Sequence, residues 1–183
     1  MTSPLMVLPP VQRIEAGAKS AVRVQVLPDV SKLPKDRESV FWFNLREIPP
    51  RSDKPNVLTL ALQTRLKIFW RPASIKVDAK SESFPGIQNV TLAKNGNNYT
   101  LNNPTPYHLT FVEGRSAVKG KGKEGFEPVM VAPKAQATLN VGASDLGATP
   151  VLVFVNDYGS LRLLPFQCTG SVCKALPVIT PES

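Results

Sequence analysis

Apolar and polar residues alternate with a period of two along most of this chain, the signature of strands that turn one face to a core. Residues 21–26 read AVRVQV, residues 39–45 read SVFWFNL and residues 57–70 read VLTLALQTRLKIFW, each bounded by Pro, Asp or Ser clusters. Shorter strands are predicted at 75–77, 88–94, 99–101, 108–113, 125–131, 135–141, 151–156 and 161–166. Turn chemistry separates them at Asn95-Gly96-Asn97, Asn103-Pro104 and Asp157-Tyr158-Gly159. Many short strands at close, regular spacing predict an all-β fold built from antiparallel sandwiches. Residues 73–183 carry enough of them for a whole immunoglobulin-like domain. Residues 1–72 carry about four, where such a sandwich takes about seven strands and roughly 100 residues. The expected division is a complete second domain at 73–183 and a first part at 1–72 that either belongs to a different architecture or lacks some of its strands.

Composition supports this picture. Eighteen prolines in 183 residues exclude a helical bundle, because each proline removes an amide donor and clashes with the preceding turn. No apolar stretch approaches the roughly 18 residues of a membrane-spanning helix, and the opening MTSPLMVLPPVQ shows neither the basic start nor the cleavage site of an export signal. Lys and Arg exceed Asp and Glu by 22 to 14, a net charge of +8. The basic residues are scattered, and the one dense run, Lys119, Lys121 and Lys123 between glycines, reads as a solvated loop rather than a nucleic-acid surface.

Little in the chain points to catalysis. Two cysteines and one histidine do not make up the four ligands of a structural zinc site, and no motif for a nucleophile, a phosphate loop or a metal is present. Strand parity makes His108 an ordinary exposed or half-buried sheet residue. Cys168 and Cys173 are separated by four residues that include turn formers. The spacing suits a structural clasp in an oxidising compartment, or two buried thiols, better than a redox pair. The expectation is a non-enzyme without metal or cofactor.

The long 57–70 segment is the most unusual feature. Leu58, Leu60 and Leu62 share one face, either turned to a core or offered along an exposed edge to a partner that lacks a strand. Lys67 lies further along with the opposite parity, so a twist or bulge is needed to bring it round to the leucine side.

Residues 33–49, LPKDRESVFWFNLREIP, resemble the signature of the periplasmic pilus-assembly chaperones. The likeness continues through QTRLKIFWRP (63–72), NPTPYHLT (103–110), VNDYGS (155–160) and the cysteine pair, and so covers essentially the whole chain. It implies two immunoglobulin-like domains in an L shape, in the periplasm, that bind pilin subunits and pass them to an outer-membrane usher. It implies donor-strand residues at Leu58, Leu60 and Leu62, a cleft lysine at Lys67 that anchors the pilin's terminal carboxylate, and an interdomain charge cluster of Glu38, Arg71 and Asp157. The short, cysteine-free 46–56 connection resembles the subgroup serving rod-like pili. It also implies further strands and a cleft arginine ahead of the point where this chain opens, so the chain reads as N-terminally truncated. A pilus structural subunit is the alternative, and the two-domain strand count speaks against it. Neither nucleic acid nor membrane insertion is expected.

Overall fold

The computed structural model describes residues 3–50, 53–54 and 56–181. The architecture is all-β, of the immunoglobulin-like sandwich type, with one short helix, and falls into two compact units at 1–35 and 36–183.

In the first unit, β1 (Leu5–Leu8) and β2 (Arg23–Val26) pair antiparallel, Leu5 opposite Val26 and Leu8 opposite Arg23. Two strands cannot cover both faces of their own sheet, and Met6, Val24 and Val26 are exposed. The Leu27 N–H donates to the Pro4 carbonyl at 2.8 Å, one step beyond the pair. Pro28, whose fixed φ suits a first helical position, then opens a 3-10 turn over Pro28–Lys32.

In the second unit, β3 (Ser39–Arg46) and β4 (Gln63–Trp70) run antiparallel in unbroken register from Ser39 opposite Trp70 to Arg46 opposite Gln63. The expected 57–70 strand is therefore only its second half. Pairing continues as far as Leu62, where the Glu47 N–H donates to the Leu62 carbonyl at 2.9 Å and the Leu62 N–H donates to Glu47 Oε2 at 3.3 Å. Upstream of that point residues 57–61 keep the alternation of a strand but have no neighbour to bond among the described residues, and alternation alone does not supply one.

The remaining strands form a sandwich. They are β5 (Thr91–Asn95), β6 (Asn98–Asn103), β7 (Leu109–Arg115), β8 (Val129–Val131), β9 (Ala135–Gly142), β10 (Val151–Val155), β11 (Leu161–Thr169) and β12 (Val172–Ala175), with α1 (Ala143–Leu146) after β9. Their order is β8-β7-β10-β11-β12-β5-β6-β9. β11 belongs to both layers: Leu161 to Pro165 pair with β10, and Phe166 to Thr169 pair with β12. Between the layers lie Leu92, Tyr99, Leu101, Leu109, Phe111, Leu152, Phe154, Leu164 and Phe166, all essentially inaccessible to solvent.

Several expected strands change character. Residues 75–77 are replaced by a 3-10 turn, Ala73–Ile75, held by local bonds from Ile75 N–H to the Pro72 carbonyl and Lys76 N–H to the Ala73 carbonyl. The 88–94 strand shortens to β5, because Gly86, with φ 77°, starts a 3-10 turn over Ile87–Asn89. Of 125–131 only β8 pairs. β1 and β12 carry alternations too short to stand out in the sequence.

One buried side chain fixes the approach to the site. Asn103 Nδ2 donates to the carbonyls of Tyr107 at 2.8 Å and Ala132 at 3.0 Å, while Oδ1 accepts from the Thr105 N–H at 3.0 Å and hydroxyl at 2.6 Å. The 103–108 bend is thereby locked against the β8–β9 turn.

Candidate functional site

Arg71 follows β4 directly and organises the site. Its Nε donates to Glu38 Oε1 at 2.7 Å, and Nη1 and Nη2 donate to the two oxygens of Asp157 at 2.6 and 2.9 Å. The guanidinium plane lies 5.2 Å from the Tyr107 ring and 5.8 Å from that of Phe84, a setting that favours a fixed cation. Hydrogen bonding to Asp157, and then to Glu38, holds the Arg71 pKa well above its ordinary value against the opposing effect of burial. The cation is permanent.

Glu38 is 4% exposed, and such a carboxylate is tolerable only when its oxygens are satisfied. Oε1 accepts from Arg71; Oε2 accepts from the His108 backbone N–H at 2.6 Å and faces His108 Nδ1 at 3.3 Å. Its own backbone N–H donates to the Pro106 carbonyl at 2.9 Å, which ties the entry to β3 to the start of β7.

Asp157 is aimed by its neighbour. Asn156 Oδ1 accepts from the backbone N–H groups of Tyr158 at 3.0 Å and Ser160 at 2.9 Å, and Asn156 Nδ2 donates to the Glu82 carbonyl at 3.2 Å. Gly159 adopts φ 77°, a left-handed conformation that costs a glycine little. The Asp-Tyr-Gly turn read from the sequence thus presents one carboxylate to Arg71.

Lys67 stands directly opposite Trp42 in the β3–β4 ladder, with Nζ 5.6 Å from the indole centre; Arg65, two residues before it, stacks on the same ring at 4.0 Å. Lys67, Phe69 and Arg71 share parity and line a cavity of about 440 Å³ with Glu38, His108 and Asp157. Among the described residues no carboxylate pairs with Lys67, whereas Arg71 in the same cavity is matched by two. The cavity therefore holds one cation without a counter-charge.

Leu58, Leu60 and Leu62 do not line it. They are 83%, 72% and 72% exposed, so the row is not turned to a core. Glu38, Arg71 and Asp157 are brought together as bonded partners, and Lys67 joins the same cavity. Cys168 and Cys173 stand opposite each other across the β11–β12 hairpin and form a disulfide, which selects the clasp over free thiols.

His108 departs from expectation. It is 8% exposed, its ring lies 5.4 Å from that of Phe69, and it faces the Glu38 carboxylate. Strand parity does not reveal this, because the covering groups come from β4 and from the residue ahead of β3. The signal available was the adjacency of the sole histidine to Tyr107 in a segment that also carries Asn103 and Thr105.

Residues 1–76 match the family described as "Pili and flagellar-assembly chaperone, PapD N-terminal domain", and residues 85–164 match "Pili assembly chaperone PapD, C-terminal domain". The probable fimbrial chaperone YfcS of Escherichia coli is 49% identical over 175 residues, 95% of this chain and 68% of that protein. The chaperone protein PapD of Escherichia coli is 47% identical over 175 residues, 95% of this chain and 70% of that protein. Among solved structures, the Salmonella enterica SafA pilin in complex with the SafB chaperone superposes with a TM-score of 0.69 at 27% identity, over 87% of this chain and 72% of that one.

Proposed function

Since the chain belongs to the family of pilus-assembly chaperones, whose members are not enzymes, we propose that it binds pilin subunits in the periplasm by donating the 57–62 edge and hands them to an outer-membrane usher. The uncompensated ammonium of Lys67 inside the cavity carries this reading. A carboxylate at the end of a pilin chain supplies the missing counter-charge. The leucines of 57–62 are exposed, and Leu58 and Leu60 have no backbone hydrogen bond among the described residues; they supply both the hydrogen-bonding edge and the side chains for an unfinished apolar groove.

We place the N-terminal chaperone domain at 1–72 and the C-terminal domain at 73–183. On that division Arg71 and Glu38 come from the first domain and Asp157 from the second, so their ion pairs orient one domain on the other. The Salmonella SafB chaperone, solved in complex with the SafA pilin, supports a pilin as the partner.

The test is co-purification of a pilin subunit with Lys67→Ala. A charge-assisted hydrogen bond contributes about 1.5–3 kcal/mol, so retention of pilin should fall at least about tenfold while the free variant melts as the parent does. Undiminished co-purification overturns the assignment.

A further inference from the structure

The cavity around Lys67 has two walls. Lys67, Phe69 and Arg71 line it from β4 and its exit, and His108, Thr110 and Asp157 line it from the sandwich. Because β3 carries β4 in unbroken register, the place of Lys67 against the sandwich wall follows from how the lead-in to β3 is seated.

Part of that seating is a cluster of bonds around Glu38. Its N–H donates to the Pro106 carbonyl, and its carboxylate accepts from Arg71 and from the His108 N–H. Bonds gathered at one residue make a pivot, and a separate contact is needed to fix a direction. Asp36 supplies it. Its Oδ2 accepts from Lys134 Nζ at 2.6 Å, across 98 positions of chain, while Arg37 donates to Oδ1 and Oδ2 of the same carboxylate at 3.1 and 3.0 Å.

Lys134 is itself firmly based. It lies in the β8–β9 turn with φ 56°, a left-handed conformation uncommon for a residue with a side chain. Its N–H donates to the Thr105 carbonyl at 3.1 Å, and Asn103 bonds both the Ala132 and the Tyr107 carbonyls. The lead-in is therefore gripped at two points, Lys134 and the 106–108 segment, that Asn103 ties to each other. Lys134 is no part of the cavity lining. Its ion pair with Asp36 is half exposed, and such a pair adds little to folding stability. Its effect is on direction, which binding reads and melting does not.

We propose that Lys134, acting through Asp36, is a positioning residue for carboxylate capture: it fixes the direction in which β3–β4 leaves the sandwich and so the place of Lys67 in the cavity. This rests on the reading of Lys67 as a carboxylate anchor.

The probe is a synthetic peptide of alternating apolar and polar residues with a free C-terminus, beside the same peptide as its C-terminal amide, each titrated against the full chain. The parent should bind the acid more tightly than the amide. Lys134→Glu sets a carboxylate against Asp36 and should shrink that preference at least about threefold with little change in melting temperature. Lys134→Arg, which keeps the bond, should retain the preference. Lys121→Glu makes the same change of charge on an exposed lysine of the β7–β8 loop and should leave the preference as in the parent, which separates position from net charge. If Lys134→Glu keeps the parent's preference, or loses no more of it than Lys121→Glu or Lys134→Arg does, the positioning role is overturned and the anchor stands. If the parent binds both peptides equally, or neither, the anchor fails and the positioning role with it.

Discussion

Arg71 and Asp157, 86 positions apart in the chain, meet through two nearly parallel N–O contacts of 2.6 and 2.9 Å. A planar guanidinium fits a carboxylate in this two-point manner as an ammonium does not. The third nitrogen holds Glu38, so one side chain joins the end of β4, the lead-in to β3 and the turn after β10.

The two carboxylates differ in solvent access, and the cost of losing each contact follows from that. Arg71→Ala strands the buried Glu38 carboxylate and should cost about 3–5 kcal/mol, the penalty for breaking a buried pair. Asp157→Asn removes a partner that is 36% exposed and should cost about 1 kcal/mol or less. Urea midpoints at neutral pH measure both. Equal costs would contradict the assignment of Glu38 as the buried member.

Leu60→Glu should leave the free protein folded, with a stability change within about 0.5 kcal/mol, because the side chain is already in water. Pilin capture should nevertheless be lost, since the new charge must shed its hydration to enter an apolar groove. A large fall in melting temperature of the unbound variant would place the leucine row in a core instead.

Two surface carboxylates predict the acid limb of stability. Hydrogen bonds from Arg37 and then Lys134 hold Asp36 well below the usual carboxylate range, and Lys123 and the Gly142 N–H hold Asp145 below it. A depressed folded-state pKa means that the unfolded chain binds more protons over that interval. The contribution is therefore complete above about pH 5 and is lost as pH falls below about 4. Asp145→Asn should flatten the decline between about pH 4 and 2 without altering its onset, as followed by denaturant titration at stepped pH. An unchanged slope counts against the Lys123 contact at 2.8 Å.

Limited proteolysis should degrade the first 70 or so residues and leave a resistant C-terminal fragment. β1–β2 and β3–β4 are separate two-stranded sheets, and Val57, Leu58 and Leu60 in the chain between β3 and β4 lie open. The sandwich from β5 to β12 buries a continuous core and is clasped by its disulfide. Mass spectrometry of the fragments locates the cut, and a chain resistant from end to end would refute the expectation.

The alternation of residues carried the fold class and most strands of the second half, because those strands keep one face on a core and the period survives. It overstated 57–70, where the pattern persists although pairing stops at Leu62. It also missed the turns at Ala73–Ile75 and Ile87–Asn89, which rest on bonds three residues apart rather than on side-chain period. Glu38, Arg71 and Asp157 were legible through motif likeness, since turn chemistry and the Arg-Pro junction are local features. His108 was not, because its surroundings are assembled from distant segments.

A strand that sits in both layers has a kinetic consequence. Leu161 to Pro165 lie in one sheet and Phe166 to Thr169 in the other, so the layers cannot part along β11 without breaking ladders on two flanks at once. At the opposite rim β8 and β9 share no ladder and are linked by the short turn between them and by Asn140, which bonds Gly125 and Glu127 ahead of β8. Amide protons of β11 should then exchange with solvent only in global unfolding, while those of β8 escape through local openings at that rim. The sandwich opens from one side, like a book bound along β11.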